Sequence, residues 1–96
     1  MYFLWDETKS RKLKETRDIS IEEIAQIIFN EDYLAILENP SRPQQMMFIV
    51  MYHDYIHVVP FIINQEGTII LKTVYPSRKY HKLYAEKNDK TKEKTN

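Results

Sequence analysis

Side chains suited to phosphate chemistry fall into two blocks of this chain. Lys9, Arg11, Lys12, Lys14 and Arg17 stand against a single acid, Glu15, for a local charge of +4 over residues 9–17. Lys72, Arg78, Lys79 and Lys82 give another +4 over residues 72–84. Guanidinium groups grip phosphoryl oxygens two at a time, and ammonium groups act as point charges. Lys72, Arg78, Lys79 and Arg17 therefore suit a charge-stabilising role at a phosphate. Tyr75, Tyr84 and His81 belong to the same end of the chain and suit proton transfer or stacking on an unpaired base. The plainer reading of both blocks is a solvated helix face. Between them, residues 18–38 carry Asp18, Glu22, Glu23, Glu31, Asp32 and Glu38 with no basic residue, a local −6.

Other chemistries are excluded early. With no Cys among the 96 residues there are no disulfides, no thiolate nucleophiles and no Cys-ligated zinc. The single Gly rules out a glycine-rich phosphate loop. His53 and His57 have the H-x-x-x-H spacing that suits one helix face, but they fall in a strand-like region. A straight strand holds them roughly 13 Å apart, too far for one ion. A turn at Asp54-Tyr55 would close that gap, yet no third ligand of suitable spacing follows. We expect structural histidines, no metal and no cofactor.

The elements that must position these residues follow from pattern. Tyr2–Trp5 suits a short strand. Asp6 is an N-cap for a polar helix over Glu7 to Thr16, whose only apolar residue is Leu13. Ser20-Ile-Glu-Glu23 has the form of a capping box, with Glu23 reaching back to the cap amide. The helix it opens carries Ile21, Ile24, Ala25, Ile27 and Ile28 at helical period, and Asn30 stops it. Tyr33–Leu37, Met46–Tyr52, Tyr55–Ile63 and Thr68–Tyr75 read as strands joined by short connections, hence antiparallel neighbours. Pro60 interrupts the third of these runs, because proline cannot donate to a ladder; a bulge or an edge position accommodates it. Pro76-Ser-Arg starts a last basic helix to about Lys87.

The apolar region Met46–Ile63 has the nominal length of a membrane span. His53, Asp54, His57 and Pro60 and its β-branched content make it two adjacent strands instead. The start MYFLWDE has no basic residue and is no secretory signal. The expectation is a cytoplasmic protein with no membrane partner, one α+β domain over residues 1–87, and a disordered polar tail over 88–96.

The order of these features resembles the BrnT family, toxins of the RelE-like group in bacterial type II toxin–antitoxin systems. It rests on the aromatic start into Trp5-Asp6-Glu7-x-Lys9, the basic stretch after it, Ile19-Ser20-Ile21-Glu22-Glu23-Ile24, the meander, and Ser77-Arg78-Lys79. It covers roughly residues 2–84. The resemblance implies a small α+β fold with an N-terminal short strand and two helices, a four-stranded antiparallel meander, and a short C-terminal basic helix. It implies a metal-independent endoribonuclease that inhibits translation. It also implies an antitoxin with a ribbon-helix-helix DNA-binding part, through which alone the toxin meets operator DNA.

Under that resemblance Lys72, Arg78, Arg17, Tyr75 and His81 are the catalytic candidates. Lys9, Arg11, Lys12, Lys14, Lys79, Lys82 and Tyr84 are the RNA-binding ones. The acidic block is either the exposed side of the second helix or a docking surface for a basic antitoxin segment. The family usually carries Lys-His-Gly between its two helices and an Arg on its last strand. Here Glu15-Thr-Arg17-Asp18 and Val74 occupy those places, leaving Arg17 and Lys72 as the stand-ins. Two rival readings follow: a catalytically weak RNA- or ribosome-binding module of the same fold, and a domain that binds only protein.

Overall fold

Each turn of the chain between residues 2 and 85, the span described by the structure (a computed structural model), has a local cause in the sequence. The expected tail over 88–96 lies outside the described residues. Strand β1 (Phe3–Leu4) leads into helices α1 (Glu7–Arg17) and α2 (Ile21–Phe29), followed by β2 (Ala35–Glu38), β3 (Met46–Tyr52), β4 (Tyr55–Ile63), β5 (Ile69–Leu71) and β6 (Tyr75–Pro76). A third helix, α3, begins at residue 78 and is described to residue 85. The result is a small α+β domain with three helices. Its six-stranded sheet runs β1-β5-β4-β3-β2, with β6 also on β4. The sheet is mixed, because β1 pairs with β5 in parallel while every other pair is antiparallel. Among the described residues no helix is long and apolar enough to cross a membrane. The apolar region Met46–Ile63 is the β3–β4 hairpin, closed by His53 and Asp54 with φ of 51° and 60°. Two consecutive positive φ values at a two-residue loop match the twist of the strands they join.

Alternation along β3 and β4 divides the core into two. On one face Phe48, Val50, Tyr52, Val59 and Phe61 pack against Ile21, Ile24, Ala25 and Ile28 of α2. Phe48 stacks on Phe61 at 4.1 Å and meets Tyr33 at 5.1 Å. On the other face Met47, Ile49, Ile56 and Val58 are covered by Tyr80 and Tyr84 of α3. His81 anchors that helix. Its Nδ1 accepts the Ile56 amide at 3.2 Å, and its ring lies on Tyr55 at 4.1 Å, nearly parallel.

Two expectations need correction. The run Thr68–Tyr75 is not one strand: β5 ends at Leu71 and pairing resumes one position out of step at β6. The register passes from Phe61↔Leu71 to Val58↔Tyr75, so three residues, 72–74, oppose two, Val59 and Pro60. Pro60 is the cause. Its carbonyl accepts the Lys72 amide at 2.8 Å, so its ring nitrogen faces the same neighbour and has no proton to return. The second correction concerns the cap of α2. Asp6 caps α1 as expected, accepting from Thr8 N and Lys9 N, and Ser20 accepts from Glu23 N at 3.3 Å. Glu23 does not reach back to Ser20. The Tyr52 hydroxyl stands between them, accepting from Ser20 N at 3.0 Å and donating to Glu23 Oε2 at 2.8 Å. The capping box is thereby stapled to the end of β3.

This bridge has a measurable worth. Tyr52→Phe leaves the Ser20 amide without its acceptor in a partly buried site, and urea unfolding is expected to show a loss of about 1–3 kcal/mol; an unchanged midpoint contradicts the assignment. His57 gives a second test. Burial holds its imidazole below the ordinary 6.5, outweighing the favourable hydrogen bond to the Tyr55 carbonyl at 2.9 Å, and nearby His53 pushes the same way. The unfolded chain therefore takes up a proton that the folded chain refuses. Stability is full above about pH 6.5 and falls as pH drops toward the depressed value. Urea midpoints between pH 7.5 and 5 are expected to fall less steeply in His57→Phe.

Candidate functional site

The ladder break beside Pro60 opens a polar cleft. Lys72, which leaves β5 there, has a carbonyl that an amide at position 60 would otherwise have met. Lys9 Nζ approaches it at 3.5 Å from the first turn of α1. Past the break Tyr75 turns back onto the same opening. The strand's alternation would have set Lys72 and Tyr75 on opposite faces, and the extra residue between them puts both beside one cavity.

The facing wall is the β2–β3 loop. Asn39 is buried, donates from Nδ2 to Gln45 Oε1 at 3.3 Å and accepts the Ser41 amide on Oδ1 at 3.0 Å. Arg42 N donates to the Asn39 carbonyl at 3.3 Å and Gln45 N to the Arg42 carbonyl at 2.9 Å. These bonds close the loop on itself and present Arg42 toward the break. The cleft so formed has a volume of about 430 Å³. Among the described residues it is lined by three cations (Lys9, Arg42 and Lys72), by Tyr75, Thr73, Ser41, Asn39 and Gln45, and by no carboxylate or imidazole. Burial, followed by the neighbouring Tyr80, raises the Tyr75 hydroxyl above its ordinary 10.0, so it remains a proton donor at neutral pH.

The expected site residues divide accordingly. Lys9, Lys72 and Tyr75 line the cleft; Arg17, Arg78 and His81 do not. The Nδ1 of His81 is occupied by the Ile56 amide, which makes it a structural anchor of α3. Tyr84 packs on the back of the sheet rather than offering a free ring. Lys79 lies over the Tyr80 ring at 5.4 Å, and Arg78 and Lys82 are exposed. Along α1, Arg11 and Lys12 are exposed and Lys14 pairs with Asp18 at 2.9 Å, one turn on. His53 sits in the hairpin turn, stacked on Tyr52 at 3.9 Å, while His57 is buried. The described residues hold no cluster of three or more possible metal ligands. Arg42 was not anticipated, although one signal pointed to it. It is the only Lys or Arg between Arg17 and Lys72, held between two prolines.

This arrangement has the donors that a phosphate or a short run of phosphates requires: three cations supply charge, and hydroxyl and amide groups supply directed hydrogen bonds. Comparison with family models, with curated proteins and with solved structures finds no match to the chain. Inorganic pyrophosphate is a direct probe. Titration at low salt is expected to shift the amide resonances of Ser41, Arg42, Lys72 and Thr73 ahead of those around Arg78 and Lys82. Shifts centred on α3 instead contradict the assignment.

Proposed function

We propose that this chain is an RNA-directed toxin domain of the BrnT-like kind, a metal-independent endoribonuclease that grips the RNA backbone in the cleft between α1, the β2–β3 loop and the ladder break. The observation that supports it is the convergence of Lys9, Arg42 and Lys72, from three separate segments, on one cavity that has no carboxylate among the described residues. Isolated surface lysines would give a solvated face; a concave site with cations from three segments gives a receptor for a polyanion. The element order, a strand and two helices ahead of a meander and a basic helix, is consistent with the BrnT-like arrangement. A cognate antitoxin with a ribbon-helix-helix part belongs to the same reading.

In this reading Arg42 and Lys72 hold the non-bridging oxygens of the scissile phosphate and stabilise the charge that builds there. The 2′-oxygen gives its proton to water and attacks phosphorus. The bond to the 5′-oxygen breaks, and the Tyr75 hydroxyl donates the proton that this leaving oxygen needs, regaining one from solvent. The products are a 2′,3′-cyclic phosphate and a 5′-hydroxyl. The same lining favours a second reading, an RNA- or ribosome-binding module that does not cut, because among the described residues the cleft has no imidazole or carboxylate to take the 2′-proton.

Expression in a bacterial host, together with incubation of purified protein with mixed-sequence RNA in EDTA, separates the two. The first reading expects growth arrest and 5′-hydroxyl fragments, with cleavage lowered about 10²-fold or more in Tyr75→Phe at retained RNA affinity. Arg42→Ala and Lys72→Ala are expected to lose both binding and cleavage. RNA affinity without fragments moves the assignment to the second reading, and absence of RNA affinity overturns both.

A further inference from the structure

A second hollow shares no lining residue with the cationic cleft and carries the opposite chemistry. One wall is α2, where Glu22, Ala25, Gln26 and Phe29 recur at i, i+3, i+4 and i+7 and so share one side of the helix. The other wall is the start of the chain, Tyr2, Phe3 and Trp5. Between them lies an open volume of about 400 Å³, with the small, buried Ala25 set among the larger side chains. Phe3 and Trp5 are fixed by packing on the α2 core cluster, while Tyr2 and Phe29 are 79% and 56% exposed. Among the described residues none of these four rings stacks on another aromatic. The Trp5 Nε1 is sealed from solvent, so this ring offers carbon surface to the hollow.

The polar atoms select the occupant. Among the described residues Glu22 is the only charged one in the lining, and it forms no ion pair. The Ser10 hydroxyl donates to its Oε1 at 3.5 Å, and Oε2 has no donor among the described residues. Gln26 donates from Nε2 to Asn30 Oδ1 at 3.2 Å, which leaves its own Oε1 as an acceptor. Two acceptor oxygens thus stand one helical turn apart beside four aromatic rings. An anion meets Glu22 with no counter-charge in the lining. The same holds for a guanine presented by RNA, whose base suits the rings but whose phosphates find no cation there. An aliphatic side chain strips water from the carboxylate and returns no hydrogen bond. A lysine ammonium is compact and strongly hydrated. A guanidinium is planar and weakly hydrated, stacks on aromatic faces and forks onto a carboxylate. With five N–H donors and no acceptor, it matches a wall of free acceptors.

We propose that the hollow between β1 and α2 takes an arginine side chain of a partner protein, its guanidinium held between the rings and the free oxygens of Glu22 and Gln26. This contact does not depend on RNA binding at the cleft. Trp5 is the only tryptophan of the chain, so its emission reports from the hollow itself. The probes are an end-blocked Gly-Arg-Gly peptide, its citrulline counterpart (a neutral isostere) and its lysine counterpart, each titrated at low salt to about 20 mM. The arginine peptide is expected to saturate the Trp5 signal and to bind about tenfold more tightly than either counterpart. Glu22→Gln keeps the shape of the wall, and Phe29→Leu keeps its apolar bulk. Each is expected to weaken binding about fivefold or more, with amide spectra showing an intact fold. Lys72→Ala, in the cationic cleft, is expected to bind the peptide as wild type does. No change in Trp5 emission, equal binding of either counterpart, or undiminished affinity in Glu22→Gln overturns the proposal. Tighter binding of guanosine than of the arginine peptide overturns it as well. So does self-association that Glu22→Gln abolishes, which would make a second copy the occupant.

Discussion

A single missing proton shapes the cationic cleft of this fold. Pro60 lies within β4, accepts the Lys72 amide through its carbonyl, and has no N–H to give back. The antiparallel ladder therefore cannot continue past Leu71 in register. The chain takes one extra residue before pairing resumes at Tyr75. That detour gives the Lys72 carbonyl to Lys9, turns Tyr75 onto the same opening, and leaves a cavity where a fourth rung of the β4–β5 ladder would have been. A residue that weakens a strand thus becomes the means by which two positions of opposite pleat share one site.

The rest of the structure holds that break still. The α2 side of the sheet is fastened at its far end by the Tyr52 hydroxyl, which joins the Ser20 amide to the Glu23 carboxylate. The other side is fastened by α3, through His81 on the Ile56 amide and the rings of Tyr80 and Tyr84 on the second core cluster. Both fastenings use polar side chains that the sequence offers equally well as chemistry. Here packing has claimed them, and the cleft is left with residues from α1, the proline-flanked loop and the bulge. Of the two basic blocks only Lys9 and Lys72 reach the break, where Arg42 joins them; the acids lie on and around α2 and β2.

Much of the fold is legible in the chain because its signals are local. Asp6 and Ser20 mark helix starts within a residue, Met46–Tyr52 and Tyr55–Ile63 are apolar runs of strand length buried on both faces, and the membrane-length apolar region resolves into their hairpin. The parallel pairing of β1 with β5 was not legible, since it joins segments more than sixty residues apart with no local signature. The site was legible in part. Lys9, Lys72 and Tyr75 stood out by type, and Pro60 announced a disturbance in the ladder. What the sequence hides is which side of the proline loses its partner. That choice decides whether Tyr75 joins Lys72, and only the register settles it. Arg42 escaped for a related reason: a lone cation in a loop has no periodicity to assign it a face. His81 and Tyr84 lie outside the cleft and hold α3 to the sheet, a placement that residue type alone does not reveal.

In the proposed function the three cations that meet at the Pro60 break carry the grip on RNA. The most direct measurement is the salt dependence of affinity for a single-stranded RNA. Each phosphate neutralised contributes about 0.7 to the slope of log affinity against log salt. Replacing Lys9, Arg42 and Lys72 together by Ala is expected to reduce that slope by about 2. A slope unchanged by the triple replacement, with affinity retained, would place the RNA on another surface and contradict the account.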